Sequence, residues 1–343
     1  MKTPKILFVA ELSNASRAKQ RLLALQDLGH QVMPVSTILT EDHRPSINER
    51  LRWKLGYPID LVNLNHQLPQ LAEEFLPDLI WIEKVLTLYP ATYLKLRQAL
   101  PHTQIIFYSE DDIFMGHNRS VYLKRSLSLF DLVITTKPRN LEELPKLGAN
   151  SVFCIYQAYD RHLHRPVDLS SPEQQKWGAD VSFIGTFERD RAETMLQLAQ
   201  QGIKVKIWGT GWQKWHKAHP NLEIQYQPIY GIEFVKAICA TKINLNFLRK
   251  ANRDRHTSRS LEIPACGGFM LAERTDEHQA LFLEGQEAEF FASTPELLAK
   301  TKYYLAHESL RQAIATAGRT RCLTSGYSHH DRLKTILEQL QQP

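Results

Sequence analysis

The densest run of side chains able to do chemistry is NRDRHTSRSLEIPACGG, residues Asn252 to Gly268. Charged and hydroxyl residues from Asn252 to Ser260 lead into a short apolar helix that Gly267 and Gly268 end. Thr257, Ser258 and Ser260 then stand where the first backbone N–H groups of a helix are unpaired, and Arg255 and Arg259 add positive charge, which together describe an anion site. The plainer alternative is an N-cap by Ser258 or Ser260 behind a solvated charged loop. Two turns add glycines: FIGTFERDR carries Gly185, and IWGTGW carries Gly209 and Gly211. Glycine lets backbone approach a ligand closely, and Arg189 or Arg191 adds positive charge at the first turn, unless both are surface arginines at a helix start. A third cluster, YSEDDIFMGHNRS, sets Glu110, Asp111, Asp112 and His117 just after an apolar run, either facing a ligand or as a solvated loop with a helix cap.

The elements that must position these groups alternate between short apolar runs and helical patterns, the mark of parallel sheets wrapped by helices. In the first half the runs are Ile6 to Ala10, QVMPVST, Leu79 to Lys84, Gln104 to Ser109, Asp131 to Thr136 and Ser151 to Tyr156, enough for a six-stranded Rossmann-like domain. Leu22, Leu23, Leu25 and Leu28 share a face of the helix after the first run, and Gly29 stops it. A polar, proline-containing stretch from Arg161 to Gly178 reads as a linker. Alternation then restarts with VSFIGT, VKIWGTG, INLNFL and FMLAE, separated by helices. The expected class is therefore α/β, with two doubly wound domains at 1–165 and 175–343 facing across a cleft, the final helix returning to the first domain. Ligands of such sheets bind at the carboxyl ends of the strands. The turn after the first strand, ELSNASR, has no glycine, which argues against a dinucleotide site there.

Composition narrows the class. The 343 residues are 43% hydrophobic and 23% charged, ordinary for a globular protein and wrong for a disordered or collagen-like one. The formal charge of +5 is too mild to demand nucleic acid, yet it suits phosphorylated ligands or an anionic membrane surface. Four cysteines, Cys154, Cys239, Cys266 and Cys322, are scattered without CxxC pairing, so no zinc site or disulfide framework is expected and a cytoplasmic location is. With no apolar run of about 18 residues, any membrane contact would be peripheral, at the inner face.

Read in order, FIGTFERDR, IWGTGW, KINLNF, RSLEIPACGGFMLAER, HESLRQAIATAGRTR and SHHDRLKTIL resemble the second domain of GT-B glycosyltransferases of group 1, most closely the CgeB-like, spore-maturation-type branch. The resemblance spans about Val181 to Leu337. It implies a retaining transfer of sugar from a nucleotide-diphospho-sugar to an unidentified sugar, lipid or protein acceptor. In that family an acid, seven intervening residues and a Glu frame the loop and helix. These fall on Asp254 and Glu262, with the first acid shorter than the family's; Glu262 would take the donor's ribose hydroxyls, and Asp254 would act toward the donor sugar. Gly185, Arg189, Arg191, Gly209, Gly211, Arg255, His256, Thr257, Ser258 and Arg259 would surround the donor, and Asp111 or Asp112 would hold acceptor hydroxyls. No convincing DxD motif is present, so no metal cofactor is implied, and His329 with His330 reads as structural. A nucleotide-sugar epimerase on the same fold, or a non-catalytic nucleotide- or carbohydrate-binding relative, would also fit the pattern.

Overall fold

The computed structural model describes residues 3–40 and 43–341. The chain forms two compact units, residues 1–156 with 329–343, and residues 157–328. The first unit holds a six-stranded parallel sheet of β1 (Lys5–Ala10), β2 (Gln31–Ser36), β3 (Leu79–Glu83), β4 (Gln104–Ser109), β5 (Leu132–Thr135) and β6 (Val152–Cys154), in the order β2-β1-β3-β4-β5-β6. Its central strands are unbroken apolar runs because helices cover both faces. Alternate residues supply two cores. Leu7, Val9, Ile80, Ile82 and Phe107 point to one face, and Ile6, Phe8, Trp81, Ile106 and Ile134 to the other. Each such side chain contributes about 1.5–3 kcal/mol by leaving water.

The second face is closed by the first and last helices of the chain. Ala18, Leu22 and Leu25 from Arg17–Asp27 share that core with Leu333, Ile336 and Leu337 from His329–Gln339. His329 and His330, both 2% exposed, pair there with Gln20 at 3.2 Å and Asp27 at 3.1 Å.

The second unit holds β7 (Ala179–Ile184), β8 (Val205–Trp208), β9 (Leu222–Ile224), β10 (Thr241–Asn246), β11 (Met270–Glu273) and β12 (Glu289–Phe291), all parallel, in the order β12-β11-β10-β7-β8-β9. Two of these strands, β9 and β12, are three-residue edges that include a glutamate and have no longer apolar run around them to read from sequence. The 161–178 stretch expected as a linker lies inside this unit and contains the helix Ser171–Trp177. Its start is fixed by a capping box between Ser170 and Glu173, with Pro172 in the first turn where a missing N–H costs nothing.

Each sheet has one place where the winding direction reverses, between β1 and β3 in the first and between β7 and β10 in the second. The loops leaving those strands diverge and leave a crevice at the carboxyl ends. They carry most of the chemically capable residues.

Candidate functional site

In the second unit the loop after β7 is joined to the loop after β8. Gly185 N–H donates to Trp208 O at 2.9 Å, Phe187 N–H to Thr210 O at 2.9 Å, and Trp212 Nε1–H to Gly185 O at 2.9 Å. A Cβ on Gly209 would stand 1.8 Å from Gly185 O, so only glycine allows the two loops to touch. Gly211 adopts φ 81°, in the left-handed region. The glycines thus let two backbones approach each other.

Arg191 joins this pair of loops to the one after β10. It is 5% exposed, donates to Leu248 O at 2.6 Å and Thr186 O at 3.3 Å, and lies 3.3 Å from Glu188. Burial pulls its pKa below the usual arginine range. Its placement corrects the expectation that it reaches out to a diphosphate, because its guanidinium is committed to carbonyls; Arg189, in contrast, is exposed at the helix start. A pocket of about 200 Å³ beside Arg191 is rimmed by Glu188, Asp190 and Glu273 along with Lys250, a poor field for a phosphate.

The loop from Asn252 to Ser258 is held from beneath. His256 is fully buried; its Nε2 accepts from Gln157 N–H at 3.1 Å, so Nδ1 carries the hydrogen and donates to the Glu277 carboxylate. His256 is therefore a strut of the loop, which corrects its placement among the donor contacts. Ser260 Oγ, also fully buried, accepts from Thr257 N–H and Asn246 Nδ2, each at 3.0 Å, and donates to His278 Nε2 at 2.7 Å. His278 Nδ1–H closes the relay on Glu273 O at 2.6 Å. Although a Ser–His pair suggests a nucleophile, this one is sealed from any substrate and fixes the loop.

The relay also alters the expected anion site. Thr257 N–H is taken by Ser260, Leu261 and Glu262 N–H by Ser258 O, and Ser258 heads the helix Arg259–Ala265 without a side-chain cap. The positive charge beside the loop rests with Arg255, paired at 2.7 Å with an Asp276 that is 95% exposed, and Arg259, whose guanidinium lies 4.1 Å over the Phe234 ring. Glu262 is 2% exposed and ion-paired with Arg259, so it is no solvated helix charge. Asp254 Oδ1 accepts from Asn252 Nδ2 at 2.7 Å, in a turn opened by Arg253 at φ 49°.

Burial holds the His278 imidazole down at about 4, with the bond to Glu273 O opposing only in part. Between pH 4 and 6.5 the unfolded chain therefore binds a proton that the folded chain refuses, so stability is complete above 6.5 and falls as pH drops toward 4. The expected loss from this group is about 3 kcal/mol across that window. Denaturant titrations at steps from pH 7 to 4.5 check it; a flat profile in wild type would refute the assignment.

In the first unit, the reversal between β1 and β3 opens a pocket of about 450 Å³ lined by Arg17, Arg21, Glu83, Lys84, Glu110 and Asp111, among others. Arg21, 3% exposed, donates from Nε to Glu83 at 3.0 Å and from Nη1 to Glu110 at 2.6 Å, with Tyr108's ring 4.7 Å away. Arg17 meets the other oxygen of Glu110 at 2.6 Å. Burial would raise the Glu110 carboxyl, but the two arginines outweigh it and hold its pKa well below the usual range. Asp111 pairs with Lys84 on the pocket wall, where Lys84 takes the left-handed φ of 50°. Asp112 does not face the pocket as expected. It is 1% exposed and its Oδ1 accepts from Phe114 N–H at 3.1 Å, closing an Asx turn.

Sequence reasoning missed Arg17, Arg21, Glu83, Asn246, Glu277 and His278. The one available signal was Glu83 itself, an acid ending the apolar run LIWIE.

Residues 189–338 match a family model described as glycosyl transferase-like. No curated protein matches the chain. Sucrose-phosphate synthase from Thermosynechococcus elongatus superposes with a TM-score of 0.68 at 12% identity, covering 99% of each chain. HepE from Anabaena, solved with UDP-glucose, gives 0.65 at 14% identity over 98% of this chain and 99% of its own. An α-glucosyltransferase solved with UDP and a DNA containing an HMU base gives 0.69 at 12% identity over 100% of both chains. At such identities the likeness establishes the fold. No helix among the described residues is long and apolar enough to cross a membrane.

Proposed function

We propose that this chain, a glycosyltransferase with the GT-B fold, binds a nucleotide-diphospho-sugar at the β7/β10 crevice of its second unit and retains the anomeric configuration on transfer without a metal ion. The observation that carries this reading is Glu262, buried beside Arg259 and separated by seven residues from Asp254 on a loop that His256 and Ser260 fix from below. A carboxylate so placed accepts from two ribose hydroxyls, and Arg259 fixes which way it faces. Arg255 and Arg259 answer the charge that develops on the departing diphosphate, which an enzyme must stabilise as the bond to the sugar breaks. Asp254 is assigned to the donor sugar. The N–H groups of Thr257, Ser260, Leu261 and Glu262 are occupied within the loop and helix, so side chains carry most of the work of holding the donor.

Uridine diphosphate is the donor core to test first, since HepE and the α-glucosyltransferase were solved with UDP or UDP-glucose. The 450 Å³ pocket of the first unit takes the acceptor, with Asp111 accepting from its hydroxyls. The expected result in isothermal titration is UDP binding whose dissociation constant stays within about twofold when chelator replaces divalent cation. At 100 times that constant, UDP should stabilise the second unit by about 2.7 kcal/mol. Binding abolished by chelator would overturn the metal-free part, and no binding of UDP or of any other nucleoside diphosphate would overturn the donor site. Release of free sugar or transferred sugar from UDP-glucose, against epimerised UDP-sugar without acceptor, separates transfer from epimerisation.

A further inference from the structure

The helix Ile47–Lys54 buries none of its residues. Its start is nevertheless well specified: Ser46 and Glu49 form a reciprocal capping box, and His43 Nε2 holds Glu49 at 2.7 Å. Ile47 is 86% exposed, Leu51 55% and Leu55 62%. Spaced four apart, they form one stripe along the helix and its C-cap. Arg50 and Lys54 flank the stripe on one side and Arg52 on the other, with Arg44 just before the helix. Glu49, the one acid of the helix, is already occupied by His43 and Ser46. Trp53 lies opposite the stripe and lines both the 450 Å³ pocket and a second pocket of about 220 Å³ beside His117 and Arg119.

We propose that this face is a docking surface for an anionic lipid bilayer, with Ile47, Leu51 and Leu55 entering the headgroup boundary and Arg44, Arg50 and Lys54 meeting lipid phosphates. A basic amphipathic helix lying in the interface satisfies both halves of the pattern at once. Nucleic acid would satisfy the cations and leave the apolar stripe in water. A second copy of the chain would bring like charges together. Because Trp53 lines the acceptor pocket from the opposite side of the helix, a docked helix holds that pocket one helix diameter, roughly 10 Å, from the bilayer surface, and the acceptor class that follows is a lipid-borne hydroxyl. That last step rests on the acceptor reading above; the docking does not.

The test is co-sedimentation of the whole protein with vesicles of phosphatidylcholine alone and of phosphatidylcholine with about 30% phosphatidylglycerol. Wild type should sediment only with the anionic vesicles, and salt should weaken the binding. Leu51→Glu and the pair Arg50→Glu/Lys54→Glu should each reduce partitioning at least about tenfold. UDP affinity, measured on the same samples, should be unchanged, because the helix buries none of its residues and the donor site is assigned to the second unit. Wild type that ignores anionic vesicles, variants that bind as wild type does, or a concentration-dependent dimer lost in Leu51→Glu would overturn the proposal. Loss of UDP binding with vesicle binding intact would instead count against the donor site alone.

Discussion

Arg21→Met is expected to destabilise the first unit by about 3–5 kcal/mol, because it leaves the buried Glu83 carboxylate without its cation. Glu110 keeps Arg17, so the cost is concentrated on Glu83, which Arg21 grips through Nε and Nη2. Replacing both members, Arg21→Met with Glu83→Leu, should recover most of the loss, since an apolar pair needs no desolvated charge. Hydrogen exchange of the β1, β3 and β4 amides reads the opening of this unit by itself. A single variant costing under about 1 kcal/mol would show that water reaches Glu83 and that the cluster is a solvated wall of the pocket.

Glu262→Gln should weaken UDP binding by about tenfold or more, the loss of a charge-assisted pair of hydrogen bonds at about 1.5–3 kcal/mol each. The amide keeps the shape of the side chain, so packing is a smaller part of the effect than in Glu262→Ala. Because the carboxylate is assigned to ribose, uridine should weaken alongside UDP, whereas inorganic pyrophosphate should not. Titrations of the three ligands against both proteins decide it. Equal UDP affinities would take Glu262 out of the donor site.

Much of this was open to a reader of the sequence. Unbroken apolar runs such as Ile6 to Ala10 read as strands covered on both faces, and ten of the twelve strands were legible as short apolar stretches, although β2 is largely uncovered and β10 is interrupted by Asn244 and Asn246. The short edges Leu222–Ile224 and Glu289–Phe291 were not legible, because charged and polar residues interrupt and flank them, whereas the equally short Val152–Cys154 is extended by Ile155 and Tyr156 into a longer apolar run. Glu262 stands between Leu261 and Ile263 in a helix whose every neighbour turned out to be buried, a hint that its charge was not for solvent. The cluster around Arg21 was illegible for a different reason. Its members come from a helix and the ends of two strands, with Glu83 and Glu110 lying 62 and 89 positions from Arg21, and only the strand order brings them together. Likewise nothing local says that Asp112 closes a turn while Asp111 lines a pocket, since a one-residue step along a loop reverses the direction of the side chain.

The helix His329–Gln339 belongs to the first unit although the whole second unit precedes it in the chain. During synthesis, strands β1 to β6 leave the ribosome long before the residues that cover one of their faces. Until Leu333, Ile336 and Leu337 arrive, the side of the Arg17–Asp27 helix that carries Leu22 and Leu25 has no lid. The unit made first is therefore finished last, and a nascent chain must keep that face from sticking elsewhere while residues 157–328 fold.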